Sequence, residues 1–397
     1  MTGIPIDWLV RVGFTQAQVT DISAFFRNVG YAAKFTADDL VTGVNVPANK
    51  IFQISSYDAL KTIFKSDTQF FKDIEAMFNQ KTNSTQDQSK LNNVVVYQVT
   101  ETDYEKAVDN FVKVNANWAQ LVIDSRDVTD ISKAAPKALS NNRLLVAQTS
   151  DETIKNNTED NIAELLNKQK NSNVIILYHA DDTEGLAAAS ASIMAQSQLG
   201  LLDIVYATAT GITPQDYDST TMTNLKNLNV GFYSEVNPIN GGGVSQYASP
   251  IIYAMNNASG EDIKQKYTKF SLEFLMKARS IDFLKKRKPY EDMSAKILDS
   301  MLSGIFIEGQ RPNGAGQRLI KQNTVNSDGV EIKGFDLAVG KPSDLQENAP
   351  TLYNSETYPV TAYARDAKTG KEIEININID PTASELASME SLLGKAA

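Results

Sequence analysis

The sequence predicts an α/β fold: a mostly parallel sheet flanked by helices, with a helical and β-hairpin C-terminal region and extended terminal arms. Short apolar segments rich in β-branched residues recur at roughly 20–30-residue spacing between residues 94 and 178, separated by helical patterns, as in βαβ units. A long helical pattern covers about 260–286, and residues 372–379 alternate apolar and polar side chains after a turn. These three observations predict the class.

The spacing of apolar residues along the sequence predicts the individual strands and helices. Trp8, Val10, Val12 and Phe14 recur at every second position, which predicts a strand with one apolar face in the N-terminal arm. The further predicted strands cover 50–54, 94–99, 121–123, 144–147, 174–178, 360–364 and 372–379. The predicted helices cover about 55–64, 67–78, 102–112, 128–139, 158–169, 185–197, 260–286, 292–307 and 383–393, and a turn at 326–329 joins two short strands.

The length of 397 residues predicts two to three domains and two arms. We divide the chain into an N-terminal arm (1–22), an α/β domain (23–235), a helical and hairpin domain (236–355) and a C-terminal arm of a hairpin strand and a helix (356–397).

Composition excludes several function classes. The chain has no cysteine, and His179 is its single histidine, so disulfides, thiolate metal sites, cysteine nucleophiles and two-histidine metal sites are ruled out. The 48 acidic and 38 basic residues give a net charge of −10, which argues against nucleic acid as a partner. The longest apolar segments are too short to insert into a membrane, and the N-terminus lacks signal-peptide features. We therefore expect a soluble protein made in a reducing cytoplasm.

His179 ends a predicted strand and is followed by Asp181, Asp182 and Glu184. The carboxyl ends of parallel strands are where α/β proteins place active sites, and a histidine among carboxylates is able to hold a divalent ion. The alternative, which we favour, is an acidic loop that caps the next helix.

Three other patterns fail on context. Asp216 and Asp218 have the spacing of an aspartyl nucleophile loop but follow a loop rather than a buried strand. The turn at 326–329 has no glutamate at the last position of a calcium loop. The glycine-rich stretches 241–243 and 314–316 lack a preceding apolar strand. We predict no catalytic residue, no metal site and no cofactor.

Two features point to contacts between protein chains. Lys285, Lys286, Arg287 and Lys288 form a basic run at the end of a helix, either solvated there or facing an acidic surface. Ile373, Ile375, Ile377 and Ile379 form one apolar strand face near the chain end. Such a strand either packs into its own domain or adds to the sheet of a neighbouring chain, and the pattern leaves both open.

Several segments, in order over residues 50–310, resemble the contractile-tail sheath proteins of bacteriophages. The segments that carry the resemblance are Ile54–Asp58, Phe64–Asp67, Ala76–Gln80, Val94–Tyr97, Ala147–Asp151, Ser280–Asp282 and Lys288–Asp292. The chain departs from the family in lacking a tryptophan-containing segment within 200–250 and in its N-terminal arm. A related bacteriocin or injection-system sheath is the alternative within this group.

The resemblance implies a non-enzymatic subunit that polymerises with itself as stacked six-fold rings around a tail tube, between a baseplate and a tail terminator protein. It also implies that terminal strands are exchanged between subunits, which would be Trp8–Phe14 and Glu372–Ile379 here, and that contraction drives the tube through the host envelope. The helices over 262–310 would face the tube, with the basic run as a candidate contact. The expected location is the tail of a virion assembled in the host cytoplasm.

Overall fold

The structure is a computed structural model that describes residues 10–11, 22–80, 91–115, 117–196, 204–235, 250–286, 289–311, 318–325, 331–367 and 372–379. The chain divides into two compact units. The large unit is Ser23–Ile263, and the terminal unit combines Met1–Ile22 with Lys264–Ala397. The four-part division made from the sequence stays a prediction.

The large unit contains one eight-stranded sheet and its helices. The first strand of the chain, β1 Val10–Arg11, belongs to the terminal unit. The eight strands of the large sheet are β2 Asn28–Ala33, β3 Ile51–Ile54, β4 Asn93–Gln98, β5 Gln120–Ile123, β6 Leu144–Thr149, β7 Val174–Tyr178, β8 Gly231–Ser234 and β9 Ile251–Tyr253. The helices are α1 Ile22–Arg27, α2 Tyr57–Ile63, α3 Gln69–Asn79, α4 Tyr104–Val114, α5 Val128–Ser140, α6 Glu152–Lys155, α7 Ile162–Lys168, α8 Leu186–Gln196 and α9 Ser219–Asn227.

The sheet has the strand order β3-β4-β2-β5-β6-β7-β8-β9. The six inner strands pair in parallel, and only the edge strands β3 and β9 pair antiparallel to their neighbours. Helix α3 packs on α8, and α4 packs on α5, so the sheet is flanked by helices. The predicted fold class is confirmed.

Side-chain caps explain where several helices begin. The Ser56 hydroxyl accepts a hydrogen bond from the N–H of Ala59 (3.1 Å) before α2, and Asp103 accepts one from Lys106 (3.1 Å) before α4. Such caps satisfy N–H groups that have no partner inside the helix. Because α8 is buried at every position, it has no polar stripe, unlike a surface helix.

The terminal unit contains the two long helices and a small antiparallel sheet. Its elements after β1 are α10 Ile263–Lys285, α11 Asp292–Gly309, β10 Thr324–Val325, β11 Glu331–Ile332, β12 Phe335–Val339, α12 Pro342–Asn348, α13 Pro350–Asn354, β13 Tyr358–Arg365 and β14 Glu372–Ile379. The small sheet has the order β1-β14-β13-β12, and β10 pairs with β11. Both predicted hairpin pairings are therefore present, and the helix predicted over 383–393 lies outside the described residues.

Sequence patterns missed several elements, most of them short. The missed elements are α1, β2, α6, α9, β8, β9, β12, α12 and α13. The important omission is β2, a central strand of the large sheet. Its sequence, Asn-Val-Gly-Tyr-Ala-Ala, has one β-branched residue and a glycine, so it lacks the composition that marks strands. Tertiary pairing with β4 and β5 makes it a strand.

Candidate functional site

The predicted exchange strand β14 lies inside the small sheet of its own chain. It pairs antiparallel with β13 along all eight residues, and β1 pairs only with its last two, Asn378 and Ile379. Val10 lies opposite Ile379. Among the described residues, the stretch Glu372–Ile377 therefore has a strand neighbour on one side only. Trp8, Val12 and Phe14 lie outside the described residues.

The isoleucine face of β14 belongs to the core of the terminal unit. Ile373, Ile375, Ile377 and Ile379 are at most 3% exposed and share one apolar cluster with residues of α10 and α11. Glu374 on the other face is exposed. The side chains of these isoleucines thus pack within their own unit, and addition of the strand to the sheet of a neighbouring chain stays a prediction.

The backbone of β14 still offers hydrogen-bonding groups to another strand. The N–H of Arg365 donates to the carbonyl of the residue before β12 (2.8 Å), so Arg365 faces β12. The direction of the backbone N–H and C=O groups alternates from residue to residue along a strand. The backbone groups of Ala362 therefore face β14, and those of its register partner Ile375 face β13. The N–H and C=O groups of Glu374 and Asn376 consequently point away from β13, toward the edge where β1 pairs with Asn378 and Ile379 and where no other described strand lies.

The basic run is described only in part. Lys285 is the last residue of α10, and Lys286, just after it, is exposed and donates its N–H to the carbonyl of Phe283 (3.0 Å). Arg287 and Lys288 lie outside the described residues. The role of this run as a tube contact stays a prediction.

His179 follows β7 and is fully buried. Its Nδ1 atom lies 2.8 Å from the carbonyl oxygen of Asp181, and its Nε2 atom lies 3.0 Å from that of Thr213. The carboxylate of Glu184 is 3.7 Å from Nε2 and accepts hydrogen bonds from the N–H and hydroxyl of Thr213, both at 2.6 Å. Both ring nitrogens are thus occupied by backbone oxygens, and no ring nitrogen is left to bind a metal or activate a substrate.

The acidic residues after His179 act locally. Asp181 accepts hydrogen bonds from the N–H (2.9 Å) and hydroxyl (2.7 Å) of Thr183, and these bonds lower the pKa of its carboxyl. Within the described part of the chain, no group of three or more histidine, cysteine, aspartate or glutamate side chains is placed to hold a metal ion. Asp218 caps α9 by accepting the N–H of Thr221 (2.7 Å). Asp218 therefore caps the helix that follows it, whereas Asp181 bonds within its own loop, and the N–H of Ala187 in α8 donates to the side-chain oxygen of Gln148 (3.1 Å). Capping of α8 by the acidic loop stays a prediction.

A buried polar network lies where the sheet reverses its strand order. The strands that follow β2, namely β3 and β4, lie on one side of it in the sheet, and β5 and β6 lie on the other side. The strand order therefore reverses between β2 and β5, and α/β sheets usually bind ligands at such a switch point. Asp73 of α3 is fully buried there; Arg126 approaches both of its carboxylate oxygens at 2.8 Å, and Tyr31 donates to it at 2.6 Å. The network therefore ties α3, β2 and the β5–α5 loop together.

Asp124 is the carboxyl group of this region with a raised pKa. It follows β5 directly and accepts hydrogen bonds from the hydroxyl of Tyr104 and from the N–H of Lys34 (3.0 Å). Burial raises the pKa of its carboxyl to about 6, although both hydrogen bonds act in the opposite direction. Burial and the nearby Asp73 carboxylate also raise the pKa of Tyr31. Perturbed acidity of this kind marks functional sites, but also structural networks such as this one.

Sequence reasoning missed this network because its members are far apart in the chain. Arg126 and Asp73 are separated by 53 positions. The only local signal was Asp124, an aspartate directly after a predicted strand. An aspartate that caps a following helix has the same position in the sequence.

An apolar cavity of about 330 Å³ lies elsewhere, between α9 and the strands β8 and β9. Its apolar lining is Met222, Phe232, Ile251 and Tyr253, with Lys226 and Glu235 among the polar residues. It does not include His179. Among the described residues, no helix is both long enough and apolar enough to cross a bilayer.

Comparison with known proteins identifies two solved structures of similar fold. The sheath tail protein from Desulfitobacterium hafniense covers 93% of this chain and 100% of its own length, with a TM-score of 0.53 and 10% sequence identity. The sheath tail protein from Listeria innocua covers 91% of this chain and 99% of its own, with a TM-score of 0.52 and 10% identity. No protein-family model and no curated protein sequence matches the chain. The chain thus has a tail-sheath-like fold.

Proposed function

We propose that this chain is the structural subunit of a contractile phage tail sheath. It polymerises as stacked hexameric rings around the tail tube, and contraction drives the tube through the host envelope. The similarity of fold to two sheath tail proteins over nearly the whole chain supports this function. The observation that carries it is the edge of β14, a strand close to the C-terminal end of the sequence: among the described residues, only β1 pairs there, at Asn378 and Ile379.

An arm from a neighbouring subunit fits this edge. The outward groups of Glu374 and Asn376 would form four backbone hydrogen bonds, which contribute about 1 kcal/mol each. The alternating segment Trp8–Phe14 supplies an extended strand with an apolar face of its own. Among the described residues of that segment, Val10 and Arg11 pair with β14, and a neighbour's arm paired along Glu374 and Asn376 would form a longer contact at the same edge. A contact of this kind that does not close on itself generates a helical polymer.

The partners that follow are further copies of the chain, a tail tube protein, a baseplate and a tail terminator protein. Lys285, Lys286, Arg287 and Lys288 are the proposed contact to the tube, since they form a basic run in the sequence of a chain of net charge −10. The protein would be assembled in the host cytoplasm and reside in the virion tail, without binding nucleic acid or entering a membrane.

We propose no enzymatic activity. The alternative is an α/β enzyme or ligand-binding protein that uses residues 179–182, and the geometry gives it little support. His179 is buried with both ring nitrogens against backbone carbonyls, and Asp181 is engaged with Thr183. An enzyme would need at least one of these groups to face a substrate.

Negative-stain microscopy of the purified chain tests this function. We expect tubes or stacked rings at high protein concentration. A monodisperse monomer at every concentration, with no tube on addition of a tail tube protein, would contradict the proposal.

A single substitution tests the strand-addition contact. Asn376→Pro removes one outward N–H of β14 but leaves the isoleucine face in place, and proline is tolerated at strand edges. We expect Asn376→Pro to abolish tubes with an unchanged circular dichroism spectrum, whereas the matched control Asn376→Ala assembles normally. Truncation before residue 372 is a poorer test, because it removes four core isoleucines. Unaffected tubes in Asn376→Pro would contradict strand addition at this edge without contradicting the sheath role itself.

A further inference from the structure

Helix α11 carries an apolar stripe on its exposed side. Met293, Ile297, Ser300, Gly304 and Ile307, here called the α11 stripe, recur at alternating spacings of four and three residues, which places them on one face of the helix. Met293 is 59% exposed and Ile307 is 48% exposed, and Ile297 between them is half-buried. A Cβ atom added at Gly304 would meet no atom within 4 Å, so the middle of the stripe is a shallow trough.

The other face of α11 is already packed. Ala295, Leu298, Leu302 and Phe306 are buried in the apolar cluster that α11 shares with β13 and β14. A helix with one buried face normally carries polar residues on the opposite face, whereas α11 has apolar and small residues there. Alternating spacings of three and four residues are those of the seam between two packed helices. The α11 stripe therefore indicates a second helix as its packing partner.

The residues that follow β14 carry a matching pattern. They lie outside the described residues, and their sequence predicts a helix over 383–393 in which Leu386, Met389 and Leu393 recur at spacings of three and four. The serines of this segment, at positions 384, 388 and 391, fall on the opposite side of such a helix. A single helix this short is marginal in water. It needs an apolar surface to pack against.

β14 ends beside the start of α11. Ile379 pairs with Tyr358, whose hydroxyl donates to the carbonyl of Pro289 (3.3 Å), and α11 begins shortly afterwards at Asp292. Residues 380–385 reach about 20 Å when extended, and a helix with its side chains is about 10–12 Å across. The chain after β14 can therefore pass α11 and lie along its stripe, starting near Met293.

The charges at the borders of the two apolar faces are complementary where the segment would begin. Lys296, in the first turns of α11, is exposed beside the stripe, and Glu308 borders it only in the last turn. In the predicted helix, Glu385 and Glu390 lie on the two borders of the apolar face. Either direction of packing thus brings a carboxylate to the side on which Lys296 lies.

We propose that residues 380–397 fold back on their own chain and dock the face formed by Leu386, Met389 and Leu393 on the α11 stripe. The contact gives the end of the C-terminal arm a place within the terminal unit. It also covers an apolar helix face that would otherwise adhere to other proteins. The contact lies within one chain, so it goes beyond the sheath role and does not depend on it.

Disulfide cross-linking of the full-length chain tests this contact, and the absence of native cysteine makes the reaction specific. Ser300→Cys, in the middle of the stripe, is combined with Met389→Cys, in the middle of the segment's apolar face. The matched control combines Ser300→Cys with Ser391→Cys on the opposite face. Under mild oxidation in dilute solution, we expect the cross-linked monomer to form at least about tenfold faster with Met389→Cys, because only cysteines whose Cα atoms come within about 7 Å can be bridged.

Equal rates for the two pairs, or no cross-linked monomer, overturn the proposal. A cross-linked dimer formed in preference to the monomer also overturns it, and identifies a second copy as the occupant of the stripe. Hydrogen exchange of the wild type needs no substitution and decides even if the cysteine variants do not fold. We expect amides of 383–393 to be protected at least about tenfold relative to an unfolded chain, since an undocked helix of this length is mostly unfolded. Absence of this protection contradicts docking.

Discussion

The indole of Trp118 lies directly against the backbone of β2 at Gly30. It is fully buried, with the ring of Phe111 at 4.5 Å between centroids and the guanidinium of Arg143 at 5.1 Å. A Cβ atom at position 30 would lie 2.5 Å from Cδ2 of Trp118. Glycine at this position therefore permits the close approach of ring and strand.

Gly30→Ala tests this contact. Because the indole is packed on several sides, it has little room to move, and we expect the free energy of unfolding to fall by about 1–3 kcal/mol, as for other overpacked cores. Urea unfolding followed by circular dichroism measures the change. The matched control is Gly304→Ala in α11, where the added methyl group meets no atom within 4 Å. It should stabilise the helix by about 0.5–1 kcal/mol. Equal effects of the two substitutions would show that the Trp118 contact is loose.

Asp124 gives stability a pH dependence of predictable sign. Burial raises the pKa of its carboxyl to about 6, so the folded chain retains a proton that the unfolded chain releases near pH 4. This carboxyl favours folding most below about pH 4, and the advantage is lost as the pH rises through about 6. Between these limits we expect the wild type to lose about 3 kcal/mol relative to Asp124→Asn. In that variant the side-chain oxygen can still accept the Lys34 N–H, and the amide can donate to Tyr104. Parallel pH profiles of the two proteins in urea unfolding would refute this assignment.

At the scale of elements, the side chains and the backbone groups of β14 point in perpendicular directions and have separate proposed roles. Its side chains alternate between core and solvent, and its backbone groups alternate between β13 and the open edge. The isoleucines therefore hold the strand in its own unit, while the peptide groups of Glu374 and Asn376 face away from β13, toward the edge proposed for strand addition. We therefore expect mutations to separate anchoring from the proposed assembly contact.

Ile375→Ala measures the anchoring role. The side chain is 1% exposed, so its truncation should lower the free energy of unfolding by about 2–5 kcal/mol, the range for buried isoleucine or leucine replaced by alanine. Asn376→Ala, on the exposed face of the adjacent position, should change it by less than about 0.5 kcal/mol. Thermal unfolding of both variants, compared with the wild type, gives the two values. A small effect of Ile375→Ala would mean that the isoleucine face contributes little to the terminal unit.

Sequence patterns predicted those elements in which the spacing of apolar residues and the residue composition indicate the same secondary structure. Val94–Val96 and Val174–Leu177 are apolar and rich in β-branched residues, and both are strands. β12 alternates, but with partly exposed residues on both faces, so its pattern is weak. The candidate sites divide in the same way. The isoleucine face could be read from its period, whereas the Asp73–Arg126 pair depends on strand order, which single positions do not encode.

At the scale of the whole molecule, the proposed assembly would have to overcome repulsion between copies. Each chain carries a net charge of −10, so copies of the chain repel one another at low ionic strength. Backbone hydrogen bonds and buried apolar contacts of an added strand are much less sensitive to salt. We therefore expect tube formation, followed by light scattering, to become stronger as the ionic strength rises from about 0.02 M to about 0.5 M, where the screening length drops to a few ångströms. A variant with Lys285 and Lys286 replaced by serine is more acidic and should need more salt. If tubes instead dissolve as salt is added, attraction between unlike charges, with the basic run at residues 285–288 as its source, dominates the subunit contacts.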